Sequence, residues 1–238
     1  MQQISHQAMG YDRSSIMFSP DGRLLQVEYT KETIRHGTSA LGIICKDGVI
    51  LVSDKRVNEK LIISESVEKI SEIDDHIAAT STGLVMDARV LIERAQLIAQ
   101  QHKMVYETPT NVLSLVKEIC DIKQTHTQYG GARPFGVSLL IAGIDDNPKL
   151  FVTDPAGIYF QYKATAIGES EMEIKTILED EYKENMTFDQ ALKLALKVMK
   201  KVLGKKFDIK RIDGAFISSK TKKFEQISRD RLAKFASA

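Results

Sequence analysis

The chain has 238 residues, 43% apolar and 27% charged, with 33 Lys and Arg against 32 Asp and Glu. That length supports one large domain with a sizeable core, and the even charge leaves no overall field to attract nucleic acid or an anionic membrane, so neither is expected as a partner. The first residues hold no apolar leader-type run and no apolar stretch approaches ~20 residues, so a soluble, cytoplasmic protein is expected.

Residues 1–19 are polar and aperiodic and read as an extended or mobile arm, leaving 20–238 as a single domain. Ser19-Pro20-Asp21-Gly22 is turn chemistry, because Pro fixes one dihedral while Asp and Gly supply local hydrogen bonding and permissive φ. A helix is expected within 20–36, from Arg23 to Arg35, with Leu24, Leu25, Val27, Tyr29 and Ile34 as its apolar face and Gly37 as its stop.

Ser39 to Cys45 and Val49 to Ser53 are apolar runs joined by Lys46-Asp47-Gly48, a strong hairpin signal. Leu61 to Ser64 and His76 to Ser81 read as further short strands. From Leu84 to His102 the apolar spacing becomes helical, and a second helix is expected from Thr110 to Thr127, with Thr108-Pro109 as its cap and first-turn proline. Cys45 and Cys120 fall inside apolar patterns and read as buried, unpaired thiols, which suits a reducing compartment.

Strand patterns return at Phe135 to Ile144, Leu150 to Val152, Ile158 to Tyr162 and Ala164 to Ile167. Glu171 to Tyr182 is helical, and Thr187-Phe188-Asp189-Gln190 is a capping box opening a helix through Leu203, closed by Gly204. Ile212 to Ser218 and Phe224 to Ile227 form a last strand pair before a short helix from Arg229 to Phe235. Strands, two helices, strands, two helices, strands is not βαβ alternation. It predicts an α+β fold: a four-layer αββα sandwich of two antiparallel sheets flanked by helix pairs, with an extra N-terminal helix.

The stretches YDRSSIMFSPDGRLLQVEYTKE (Tyr11 to Glu32), GTSALGI, VILVSDKR, GLVMDARVLIERA, QYGGARPFGVSLLIAGID and DPAGIYFQYKATAIG together resemble the proteasome α subunits, most closely the archaeal kind. The likeness covers nearly the whole chain. It implies the same αββα sandwich, assembled as a ring of seven α subunits capping a chamber whose peptide bonds are cut by β subunits. The implied partners are other α subunits, β subunits, the C-terminal tails of regulatory ATPases and unfolded protein substrates.

Catalytic relatives use the free amine of an N-terminal threonine as base for its own hydroxyl, helped by an acid and a lysine. In this chain Asp54 follows Thr38 by 16 positions and Lys69 follows it by 31, close to that spacing. An internal Thr38 nitrogen is, however, an amide without a basic lone pair, whereas a free amine titrates near ~7.7 to 8.0. The expected role is therefore non-catalytic. A peptidase self-processed at Gly37, with Thr38 as nucleophile, is the alternative, and a small-molecule amidohydrolase of the same fold would need the same free terminus.

The likeness implies three functional regions. Tyr11, Asp12, Arg13, Pro20 and Tyr29 match residues that hold the N-terminal segments over an axial pore or away from it. Lys69, Gly83 and Leu84 match a pocket between neighbouring subunits that takes the C-terminal carboxylate of an activator tail. Tyr129, Gly130, Gly131 and Ala132 match the loop lining the axial opening. That loop is no phosphate cradle, since it lacks the following Lys-Ser/Thr and the strand-to-helix setting. His6, His36, His76, His102 and His126 show no ligand spacing, so neither metal nor cofactor is expected.

Overall fold

The computed structural model describes residues 10–57, 61–63 and 66–236. Its first hairpin sets the architecture: β1 (Ala40–Cys45) pairs antiparallel with β2 (Gly48–Asp54), Cys45 opposite Gly48. Every residue of β2 is buried, which is why its sequence is continuously apolar rather than alternating. Ile50 and Val52 face one hydrophobic layer while Val49 and Leu51 face another, as the two-residue side-chain period requires.

The remaining strands are β3 (Ile70–Asp74), β4 (Ile77–Gly83), β5 (Val137–Ile144), β6 (Pro148–Thr153), β7 (Tyr159–Gln161), β8 (Ala164–Ile167), β9 (Ile212–Ser218) and β10 (Phe224–Gln226). They form two five-stranded sheets, β10-β9-β2-β1-β8 and β3-β4-β5-β6-β7, with every pairing antiparallel. The helices are α1 (Leu25–Arg35), α2 (Val85–Tyr106), α3 (Val112–His126), α4 (Glu171–Glu181), α5 (Phe188–Leu203) and α6 (Arg229–Ala236).

Three hydrophobic layers follow from this order. Ala40, Leu51, Leu140 and Ala142 fill the space between the sheets. Leu139 and Ile141 turn outward onto Leu91 of α2 and Leu115 and Ile119 of α3. Leu41 and Val52 turn outward onto Ile174 of α4 and Leu192 and Ala195 of α5. The expected four layers are thus present, with α1 added against β4 and β5.

Four local expectations change. Leu61 to Ile63 form no strand and are exposed, and Ser64 lies outside the described residues. The edge strand is Ile70–Asp74 instead; Ile70 faces the layer between the sheets and Ile73 the layer under α2 and α3, so its two buried residues lie on opposite faces and show no period-two run, and a register shift falls between Glu72 and Asp74. The cap of α3 is Asn111, whose side chain accepts from Leu113 N, so Thr108-Pro109 precedes the helix. Finally, α2 runs past His102 to Tyr106 and stops at Glu107, at φ 55°. The capping box at Thr187 and Gln190 is present as read.

Of the expected arm, residues 1–9, including His6, lie outside the described residues. Residues 10–19 are turns and an isolated bridge, Phe18 pairing with Leu24, and the Ser19 to Gly22 turn closes with Gly22 N donating to Ser19 O at 2.8 Å.

Candidate functional site

Gly37 links α1 to the strands, and its role is proximity rather than an unusual φ. A Cβ there would sit 2.2 Å from Thr82 Oγ1 and 2.6 Å from Gly83 N, so only glycine lets the end of α1 lie on the end of β4. The next residue, Thr38, precedes β1, and its Oγ1 is buried with no hydrogen-bond partner among the described residues. Its nitrogen is an amide within the continuous chain.

The acid that spacing puts beside Thr38 is engaged elsewhere. Asp54 is fully buried, and Arg211 grips it with Nε donating to Oδ1 at 3.0 Å and Nη2 to Oδ2 at 2.7 Å. Arg56 N also donates to Asp54 Oδ1 at 3.1 Å. A carboxylate so paired has its lone pairs committed and is poorly placed to manage a proton at a neighbouring hydroxyl. Arg56 in turn holds Glu169, two residues past the end of β8.

Lys69 enters the same region from the start of β3. Its backbone N–H donates to Asp213 Oδ2 at 3.2 Å, and its carbonyl accepts from Thr80 Oγ1 at 2.9 Å. Burial lowers its pKa below the ordinary lysine value; Asp54 opposes that shift and Arg56 adds to it. The two acids around it are already in use, Asp54 by Arg211 and Asp213 by Lys55, whose Nζ lies 2.8 Å from Asp213 Oδ1. Lys69 is thus partly buried, with burial the main influence on its ammonium and Asp54 the charge that favours it.

Gly83 and Leu84 lie at the same end of the β3–β4 pair, since Ile70 is opposite Thr80 and Gly83 ends β4. Gly83 has φ +112°, and a Cβ would stand 2.2 Å from Gly136 O. Leu84 N donates to that oxygen at 2.9 Å. The matched tail-pocket residues therefore lie at one sheet end, where Gly136 packs against Gly83 and Leu84.

In the arm, Tyr29 Oη donates to Asp12 Oδ2 at 3.5 Å, joining two of the matched residues. Gln26 Nε2 donates to Asp12 O at 2.5 Å, a contact the sequence reading missed. Tyr11 and Arg13 flank Asp12, with Arg13 N donating to Gly10 O at 3.1 Å, while Pro20 occupies the turn before α1.

The loop after α3 presents Tyr129 to solvent, and Ala132 N donates to Tyr129 O at 3.3 Å. The arm reaches this loop: Ser15 Oγ donates to Tyr129 O at 3.4 Å, and Ile16 lies against Gly130. Two of the three matched regions thus touch, although more than a hundred residues separate them in sequence. Past Gly131 the loop is held by Arg133, which forks onto buried Asp87 of α2 at 2.7 and 2.6 Å, while Gly136 N donates to Asp87 Oδ2 at 2.7 Å. Burial alone would raise the Asp87 pKa, but the Arg133 hydrogen bond, the Gly136 N–H and the Arg133 charge outweigh it and lower the value. The available signal was an acid in the first turn of a helix, where negative charge is favoured.

Among the described residues, no group of three His, Cys, Asp or Glu is placed to hold a metal ion, and no helix is long and apolar enough to cross a membrane.

Comparison with known proteins adds relationship to this geometry. A family model described as "Proteasome subunit" matches residues 34–217, and a second, for the N-terminal signature of the A-type proteasome subunits, matches 11–32. The chain is 50% identical over 226 residues to the proteasome alpha subunit of Pyrococcus abyssi, covering 95% of this chain and 86% of that protein. The protein of the same name from Archaeoglobus fulgidus is 48% identical over 224 residues, covering 94% and 91%. That from Methanocaldococcus jannaschii is 50% identical over 227 residues, covering 94% and 86%.

Proposed function

The chain belongs to the proteasome subunit family, and from that premise we propose that it builds the outer ring of a core particle, gates the axial pore and receives regulatory ATPases. It is an α-type, structural and non-catalytic subunit. The engagement of Asp54 by Arg211 agrees with that role.

In this reading seven copies form the ring, a β ring docks below it, and unfolded protein threads past the Tyr129 to Ala132 loops inside the cytoplasm. The arm from residue 1 to 19 is the gate, and contacts such as Tyr29 to Asp12, worth about 0.5 to 1.5 kcal/mol net at most, bias its position. Weak contacts suit a gate, because a barrier that must open should be held lightly.

The observation that carries the tail-docking reading is Lys69. Its ammonium is largely shielded, while Asp54 and Asp213 are committed to other cations, so an incoming terminal carboxylate would supply the missing charge. Gly83 lets the Gly136 carbonyl pack against that sheet end, at a φ of +112° that favours glycine.

The test is reconstitution with the β subunit of the same organism. Lys69→Ala should leave seven-membered rings visible by electron microscopy while reducing ATPase-stimulated proteolysis several-fold; full stimulation would reject the pocket. Deleting residues 2–12 should raise unstimulated peptide hydrolysis, and an unchanged rate would reject the gate. A mature form beginning at Thr38 and cutting peptides alone would reject the whole assignment in favour of a self-processed peptidase.

A further inference from the structure

The outward face of α5 carries one kind of side chain. From residue 193 on, its exposed positions are Lys193, Lys197, Lys200 and Lys201, and the short helical turn that follows, Gly204–Lys206, adds Lys205 and Lys206. The opposite face, with Leu192, Ala195, Val198 and Met199, is buried in the layer under the sheet. Lysines four apart on one helix face repel, so Lys193 with Lys197 and Lys197 with Lys201 work against the helix. Attraction to the helix dipole accounts for Lys200 and Lys201, in the last turn, but not for Lys193, about two turns earlier.

Among the described residues, acids do little to offset this row. Of its lysines only Lys197 is in an ion pair, with Nζ 2.7 and 2.6 Å from the two carboxylate oxygens of Glu181 on α4, and both side chains are exposed. Lys200 Nζ reaches the Ala236 carbonyl, at 3.5 Å. Beside the row, between α4 and α5, lies a cavity of about 530 Å³. Half-buried Met186 and buried Leu194 give it an apolar side, while Lys183, Lys193 and Lys197 outnumber Glu181 around it.

An apolar recess with a row of cations leading away from it complements an acidic peptide that carries one large apolar side chain. Other polyanions fit less well. Surfaces that take nucleic acid set arginine forks and aromatic rings among their cations, and a membrane-binding helix needs an apolar face to insert; the exposed positions of α5 offer neither.

We propose that the lysine row of α5 and the cavity beside it bind an acidic segment of a partner protein, its apolar side chain entering beside Met186 and Leu194 and its carboxylates lying along Lys193, Lys197 and Lys201. From Lys193 to Lys201 the helix rises about 12 Å, which about four extended residues span. The Glu181–Lys197 pair is no obstacle, since an exposed pair contributes little and gives way to an incoming carboxylate. None of these residues enters the tail-docking or gate readings.

The test uses the full-length chain assembled with the β subunit and a fluorescein-labelled peptide of about ten residues, glutamates and aspartates around one central leucine, read by fluorescence anisotropy. Controls are the same peptide with serine for leucine, a version with glutamine and asparagine for the acids, and a single-stranded oligonucleotide of equal charge. Substituting Lys193→Gln, Lys197→Gln and Lys201→Gln together should weaken binding about tenfold, while basal peptide hydrolysis by the particle stays unchanged. The serine peptide should bind about fivefold more weakly than the leucine peptide, and Met186→Gln should shrink that difference without altering binding of the serine peptide. Failure of the leucine peptide to bind at low salt, equal binding to the triple variant, or equal binding of the leucine and serine peptides would each overturn the site. An oligonucleotide that binds as tightly as the peptide and is lost in the triple variant would make the row a nucleic-acid surface instead. Particles that self-associate at low salt without peptide, and stop doing so in the triple variant, would make its occupant a second copy and likewise sink the proposal.

Discussion

Arg211 holds Asp54 in a two-pronged grip, at 3.0 and 2.7 Å, on a carboxylate that is fully buried. Sixteen residues after Thr38, this is where an assisting acid would be sought, and the grip converts it into a structural ion pair. Removing one partner strands the other, since an ionised group cannot be left dry without cost. Arg211→Met should therefore destabilise the chain by about 3 kcal/mol, and adding Asp54→Asn should recover much of the loss. Urea unfolding of both variants decides this; a neutral Arg211→Met would mean that Arg56 alone satisfies Asp54.

Lys123 is fully buried on α3, and its Nζ donates to Val137 O at 3.0 Å, Thr153 Oγ1 at 2.8 Å and Asp154 O at 3.2 Å. Burial pushes its pKa down to about 8, against smaller upward pulls from Cys120 and Asp154. Below that value both folded and unfolded chains carry the proton. From there to the unfolded value near ~10.4 the unfolded chain binds more protons, so stability rises with pH over that window and levels off above it. Burial pushes the Cys120 thiol up to about 12, which works in the opposite sense above its unfolded pKa, so the lysine effect must be read as a difference. Relative to Lys123→Met, the unchanged chain should gain on the order of 2 kcal/mol between about pH 8 and 10.4. A flat difference would show that Lys123 keeps an ordinary pKa.

Tyr29 meets Asp12 at 3.5 Å in an exposed setting, so its hydroxyl is a small weight on the arm rather than a lock. In Tyr29→Phe rings, limited proteolysis before Asp12 should run about twofold faster with global stability unchanged. Equal cleavage rates would place the hold on Gln26 and the turn at Pro20 instead.

Thr187 Oγ1 accepts from Gln190 N at 3.3 Å, and Gln190 Oε1 accepts from Thr187 N at 2.9 Å. Thr187→Ala removes the acceptor of Gln190 N at the start of α5 and should cost about 1 kcal/mol. Thermal unfolding would show it as a small, uniform drop, and Thr187→Ser should restore most of it.

The order of helices and strands was legible because most elements announce themselves locally: an Asp-Gly turn at residues 47–48, a capping box at 187–190, and apolar runs at β2 and β5 that only two-sided burial explains. Where that local signal was weak, the sequence misled. Leu61 to Ile63 look more strand-like than Ile70 to Asp74, yet the latter pair with β4, where Ile70 is buried in the layer between the sheets and Ile73 in the layer under the helices. The start of α3 slipped similarly, from Thr108-Pro109 to Asn111, because several neighbouring residues can cap and helix ends are the least sharply encoded part of a helix.

By itself the sequence determined the layers and, through its likeness to a family, which residues to inspect. Only the tertiary structure decided how those residues are joined: Arg211 to Asp54 across 157 positions, Arg133 to Asp87 across 46, and Ser15 to Tyr129 across 114. The reason is physical. Local pattern follows from side-chain period and turn chemistry within a few residues, whereas the pairing of a charge or hydroxyl depends on which distant strand or loop the closed sandwich brings beside it.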